Sequence, residues 1–297
     1  MGCKLCGSVN VSVEYRGKLR VHLNPDSMTD DDVNVYRCDD CGVIWHEYKM
    51  PKDYYTSATY RTLIEGQNDV ETHYRRFDYQ TLEKLIWTGT DIYRHKTVAD
   101  IGAGGGCFID FLIGVAGKTI AIEPNEVFRK AMSQNGHTVY DYVSSALQRD
   151  GHSLRGSIDI LTSFDVIEHI EDPKQWLREL YELLKPGGMI ICGTPTDYPV
   201  LRKFRNNLFD KVIFQISHPW IFSKQALQNV FSEAGFRKIQ VEQKMHYGIG
   251  NFVNWLTNGT AKGDIRFDEF SDTLNVVWKS EMVSRGLGEY LLVKAVK

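Results

Sequence analysis

The apolar positions of this chain change period along its length, and the changes mark its elements. Residues 11–15 and 33–37 alternate at period two, placing Val11, Val13 and Tyr15, then Val33 and Val35, on one face each and predicting short strands. Residues 51–60 are aromatic and turn-like, whereas 68–87 space Val70, Tyr74, Phe77, Leu82, Leu85 and Ile86 as a helix would, which predicts a cap helix leading into the next unit. From Thr97 onward, strands and helices alternate regularly. Helices are predicted near 108–115, 126–135, 173–185 and 223–234, the third with Pro173 in its first turn and Gly187-Gly188 past its end. Ile239, Val241 and Met245 keep the period of a penultimate strand, and the chain closes on the apolar run 289–296. This alternation is that of an α/β fold.

Two aromatic-rich segments, 196–222 and 246–288, interrupt the repeating unit and are long enough to arch over a site. In open α/β sheets the ligand lies beyond the carboxyl ends of the strands, so insertions there predict substrate lids. Covering a sheet edge or making a homo-oligomer contact is their other use.

Composition narrows the class. At 297 residues the chain can bury a large core and still carry a small module. A net charge of −3 argues against a nucleic-acid partner, which calls for a basic surface. No apolar run is long enough to span a membrane, and the first residues show neither a charged n-region nor an apolar h-region, so the expected compartment is the cytoplasm.

Six cysteines divide into four and two. Cys3-Lys4-Leu5-Cys6 and Cys38-Asp39-Asp40-Cys41 are paired C-x2-C turns, each followed by a glycine, and together they offer four thiolates for a structural Zn²⁺ in a ribbon over 1–50. Disulfide or redox use is the competing reading, and a reducing compartment disfavours it. Cys107 and Cys192 read as small buried apolar residues.

The strongest chemical signal is Asp100-Ile101-Gly102-Ala103-Gly104-Gly105-Gly106 at the end of an apolar strand. Gly102, Gly104 and Gly106 free the turn of side chains, so its backbone can approach a ligand closely. Dinucleotide sites seat a pyrophosphate on such a turn, but an acid inside the motif repels an anion and suits a cationic amino-acid ligand. The pattern resembles motif I of the class I S-adenosylmethionine-dependent methyltransferases, and the resemblance continues in family order. Lys118 to Asn125 resembles the second strand, ending in Glu123 as acceptor for the cofactor's ribose hydroxyls; Ile158 to His169 resembles the fourth strand and its loop, with Asp165 beside the cofactor; Lys185 to Pro195 resembles the fifth. The resemblance implies a Rossmann-like seven-stranded sheet over 97–297, ending in an antiparallel pair, that binds S-adenosylmethionine through Asp100, Gly102, Gly104, Gly106, Glu123 and Asp165.

Methyl transfer from a sulfonium needs alignment and, for a hydroxyl or ammonium acceptor, a base. His169, after the fourth strand, and His218, in the first insertion, are the candidates, with helix capping or loop packing as the plain alternative. Asp165, Glu168, His169 and His218 also resemble the ligand set of metal-dependent methyltransferases that modify the 3′-terminal ribose of small RNAs, although Asp165 stands where that family has glutamate. Ribbon, connector (51–96) and methyltransferase domain in this order resemble bacterial enzymes of sugar, surface-polysaccharide and natural-product biosynthesis. The expected function is therefore methyl transfer to a hydroxyl of a sugar or glycan. C- or N-methylation of a nucleotide-linked sugar, RNA modification and a non-catalytic cofactor-binding module are the alternatives.

Overall fold

The computed structural model describes residues 2–21, 27–50, 54–55, 62, 69–204, 208–259 and 265–297. Apart from Tyr54 and Tyr55, the aromatic connector expected at 51–60 lies outside the described residues. The first strands are β1 (Val11–Gly17), β2 (Val33–Cys38) and β3 (Ile44–His46), followed by the helix α1 (Val70–Thr88). Then come β4 (Thr97–Ile101), α2 (Cys107–Asp110), β5 (Lys118–Ile122), α3 (Glu126–Gln134), β6 (Thr138–Tyr140), α4 (Val143–Leu154) and β7 (Ile158–Phe164). After these follow α5 (Pro173–Leu183), β8 (Leu184–Pro195), α6 (Pro199–Lys203), α7 (Phe209–Ile213), β9 (Trp220–Ile221) and α8 (Lys224–Glu233). The last elements are β10 (Arg237–Lys244), α9 (Ile249–Asn258), α10 (Asp272–Ser284) and β11 (Tyr290–Val296).

Seven strands form one sheet in the order β10-β11-β8-β7-β4-β5-β6. The strands from β6 to β8 run parallel, and β11 lies antiparallel between β8 and β10. This is a Rossmann-like sheet with a closing antiparallel pair, as the resemblance implies. Because helices cover both faces, its central strands are buried throughout and read as apolar runs: Val98 and Ala99 of β4 and Leu161 of β7 are inaccessible. Side-chain caps start the helices where expected, with Asn125, Asp172 and Ser223 accepting from Phe128 N, Gln175 N and Ala226 N.

Several boundaries differ from the sequence reading. The helix expected over 108–115 ends at Asp110, and three-residue turns continue it, Leu112 N bonding Ile109 O and Val115 N bonding Leu112 O, both at 3.0 Å. Gly114 lies in this stretch, and glycine lowers helix stability by about 1 kcal/mol relative to alanine. Met245 falls just past β10. Both β6 and α4 went unread, the strand because three residues are too few to show alternation.

The N-terminal strands form a second sheet, and it has an unexpected member. Its order is β1-β2-β3-β9, so a strand from the first insertion completes it, with Ile44 opposite Ile221 and Trp45 opposite Trp220. Cys3, Leu5, Val43 and Trp45 share one apolar core with Phe222 and Leu227 of the catalytic segment. Ser223 ties the two together by capping α8 while its hydroxyl donates to the Cys41 carbonyl.

Candidate active site

The carboxyl ends of β4, β5 and β7 open into one cavity of about 540 Å³, a size within the roughly 300–1,000 Å³ of small-molecule sites. Its floor is the glycine turn. Gly102 and Gly104 have φ of 74° and 56°, and a Cβ at Gly104 would stand 2.6 Å from His73 Nε2, so α1 lies directly on the turn. Gly106 is placed differently: it caps α2 and packs against Met132 of α3, outside the cavity lining. Beyond the turn, buried Glu123 accepts Gly104 N and Asn125 N, both at 2.9 Å, which aims a fixed carboxylate at the end of β5. Asp100 lies under the turn, accepting the Thr162 hydroxyl at 2.7 Å, and burial pushes its carboxyl up to about 7.

Asp165 follows β7 in a left-handed conformation, φ 59°, which turns its side chain into the cavity. Burial raises its pKa, but the Lys84 ammonium, 2.7 Å away, outweighs this and holds the carboxyl below the ordinary value. Glu168 is fully enclosed, accepts the Thr194 hydroxyl at 2.9 Å through Oε2, and is pushed up to about 8 by burial and by the Asp165 charge. Its Oε1 has no hydrogen-bond partner among the described residues.

His169 and His218, the two candidate bases, come together with ring centroids 4.7 Å apart. Their tautomers differ, as the hydrogen bonds assign them. The Nδ1 of His169 bonds the Ser217 carbonyl and therefore carries a proton, leaving Nε2 as the ring's acceptor. His218 is set by a chain from the N-terminal sheet: Arg20 donates to Gln215 Oε1 at 2.9 Å, so Gln215 Nε2 donates to His218 Nδ1 at 2.8 Å. The remaining proton of His218 then sits on Nε2. Burial, with the Arg20 guanidinium nearby, keeps this imidazole neutral.

The far wall is aromatic and polar. Tyr198 and Tyr247 meet Trp255 edge to face at 5.2 and 5.0 Å, and all three line the cavity.

Residues 72–241, more than half of the chain, match the model of the methyltransferase domain family. The chain belongs to the S-adenosylmethionine-dependent methyltransferases. Its fold is similar to that of a SAM-dependent methyltransferase from Archaeoglobus fulgidus, with TM-score 0.51, 16% identity, and 76% of this chain and 98% of that chain covered. A second similar structure is phosphoethanolamine N-methyltransferase 2 of Haemonchus contortus in complex with S-adenosyl-L-methionine, with TM-score 0.50, 16% identity, and 91% and 70% coverage. In sequence the methyltransferase is 31% identical over 103 residues to a ubiquinone biosynthesis O-methyltransferase of Pectobacterium atrosepticum, covering 33% of this chain and 42% of that relative. The match thus spans less than half the relative's own length.

Several cavity residues of this methyltransferase went unread in the sequence. On α1 the apolar positions Leu82 and Ile86 face solvent, while His73, Thr81, Lys84 and Thr88 are buried, because this helix covers a polar cavity and a glycine turn. Lys84 beside Leu85 on a helix with acids downstream was the available signal. Arg20, Glu83, His246 and Glu289 carried none, since their meeting depends on long-range packing.

Proposed function

We propose that the protein transfers the methyl group of S-adenosylmethionine to a hydroxyl oxygen of a small polar acceptor, a sugar hydroxyl foremost. One observation carries this reading: a single cavity is lined both by Gly102, Gly104 and Glu123 and by His169, His218, Tyr198 and Trp255. Aromatic faces beside neutral hydrogen-bonding groups suit a hydroxylated ring. The O-methyltransferase relative supports an oxygen acceptor, whereas the sugar rests on the cavity chemistry and on the order of ribbon, connector and methyltransferase domain.

The cofactor supplies an activated methyl group when bound. The residues fit it: Gly102 and Gly104 bring the backbone of the turn to the cavity wall, and Glu123 presents a carboxylate for its ribose hydroxyls. On the acceptor side, His169 Nε2 takes the hydroxyl proton as the oxygen attacks, and His218 Nε2–H donates to orient it. Binding both in one cavity would align acceptor and methyl donor, the main source of acceleration for such a transfer.

Zinc in the ribbon belongs to the same proposal. Cys3 Sγ lies 3.8 Å from Cys41 Sγ, and Cys6 Sγ lies 3.5 Å from Cys38 Sγ. A tetrahedral site with zinc–sulfur bonds of about 2.3 Å has edges of roughly 3.8 Å, whereas a disulfide would need about 2.05 Å. A second reading places a divalent cation at Glu168, His169 and His218, whose ligand atoms lie within 4.8 Å of one another. The unpartnered Glu168 Oε1 favours it. Asp165 takes no part there, being held by Lys84.

An acceptor screen with isotope-labelled cofactor, read by mass spectrometry, tests the transfer. On an acceptor so found, His169→Ala should lower kcat by roughly 10²- to 10⁴-fold with cofactor affinity kept. Loss of activity with chelator and its return with added divalent ion would select the cation reading. Methyl found on carbon or nitrogen would replace the oxygen reading, and steeply salt-dependent RNA affinity would point to an RNA acceptor.

A further inference from the structure

Besides the histidine pair, the same cavity holds a second polar cluster that the proposed methyl transfer does not use. His246 lies just past β10 and Glu289 just before β11, and packing brings them together: His246 N donates to Glu289 Oε1 at 2.6 Å. Both are buried, at 6% and 1% exposure, and both line the cavity. His246 Nδ1 lies 2.7 Å from Glu83 Oε2, and Lys279 Nζ lies 2.7 Å from Glu83 Oε1, so Glu83 is a paired carboxylate that accepts the Nδ1 proton. The imidazole ring is held between Trp87 and Tyr290, with centroids 4.4 and 4.6 Å away. Neither His246 Nε2 nor Glu289 Oε2 has a hydrogen-bond partner among the described residues.

An enclosed polar atom is costly to leave without a partner, and two of them lining one cavity mark a place where a ligand completes the bonding. Their chemistry is complementary. With its proton on Nδ1, His246 offers a lone pair at Nε2. Burial pushes Glu289 up to about 8, so near neutrality it is a carboxylic acid; as Oε1 already accepts from His246 N, its proton sits on Oε2. One wall therefore holds a fixed acceptor beside a fixed donor, which is what a hydroxyl, able to donate and accept, satisfies. An ammonium finds one acceptor and a misdirected proton, and a carboxylate faces a lone pair.

We propose that His246 and Glu289, oriented by Glu83, form a hydroxyl-reading subsite, so that the acceptor carries a second hydroxyl besides the one methylated. This rests on the small-molecule transferase reading above. A ring polyol and an aromatic diol share the chemistry, and the experiment separates them.

Enzyme saturated with S-adenosylhomocysteine is titrated, by saturation-transfer and histidine ¹⁵N NMR, with methyl β-D-glucopyranoside and catechol, and with cyclohexanol and phenol as single-hydroxyl counterparts. At least one polyol or diol should bind tenfold or more tighter than its counterpart and move the His246 ring resonances. His246→Phe and Glu289→Leu should erase that preference, while Glu289→Gln, which keeps a donor, should retain most of it. Calorimetry with S-adenosylhomocysteine reports that each variant is folded; failure of the wild-type protein to bind it would sink the transferase reading itself. Equal binding of the paired probes, no binding of any polyol or diol, or a preference untouched by the substitutions overturns the subsite and leaves the transferase reading standing.

Discussion

A buried carboxyl is the residue-scale signature of this protein, and its titration has a testable sign. Glu289 is pushed from 4.5 up to about 8, chiefly by burial, so the folded chain keeps a proton that the unfolded chain releases. A raised folded pKa gives stability that is present below the unfolded value and lost as pH climbs through the folded one. The buried histidines act oppositely, but only below their ordinary 6.5, because His218 and His246 are lowered from it. Between pH 6.5 and 8 the carboxyls therefore govern. Urea unfolding should show stability falling across that window, with a smaller slope in Glu289→Gln than in the wild type. An unchanged slope would mean that Glu289 is ionised in the folded protein. His169, after the fourth strand, and His218, in the first insertion, were named from the sequence as candidate bases; their tautomers were not legible there, since Ser217, Gln215 and Arg20 decide them.

At the scale of elements, the short strand β9 matters more than its two residues suggest. It adds the first insertion to the N-terminal sheet, and Trp220 Nε1 donates to the Ile170 carbonyl at 2.8 Å, just past the Glu168-His169 pair. Insertion, ribbon and the Glu168-His169 loop are thus tied together. Ser223, next in line, caps α8 and reaches Cys41. Ser223→Ala removes both bonds and should destabilise the protein by about 1–2 kcal/mol, measured by denaturant midpoint. A loss below a few tenths would show that water replaces both. No alternation of period two can announce such a strand, and the sequence reading saw only an aromatic insertion there.

For the whole molecule, two parts of the cavity wall have different supports. Gly102, Gly104 and Glu123 stand on the parallel sheet. The wall around Gln215 and His218 leans on the N-terminal segment, because Arg20 reaches the Lys211 and Val212 carbonyls and Gln215. If zinc holds the ribbon, elemental analysis should find one zinc per chain, and Cys38→Ser should lose it together with acceptor turnover while S-adenosylhomocysteine binding largely persists. A metal-free Cys38→Ser protein with full turnover would separate the ribbon from the acceptor site.

By itself the sequence determined the α/β class, the closing antiparallel pair implied by the family motifs, the glycine turn with Glu123, and the four-cysteine cluster. Each rests on neighbours within a few residues, or on a motif whose spacing reflects a local backbone need. Tertiary structure alone decided that a ribbon arginine orients His218, that α1 buries Lys84 against Asp165, and that Glu83, His246 and Glu289 meet on one wall. Those residues lie tens to hundreds of positions apart, and only sheet order and insertion packing bring their polar atoms within hydrogen-bond reach.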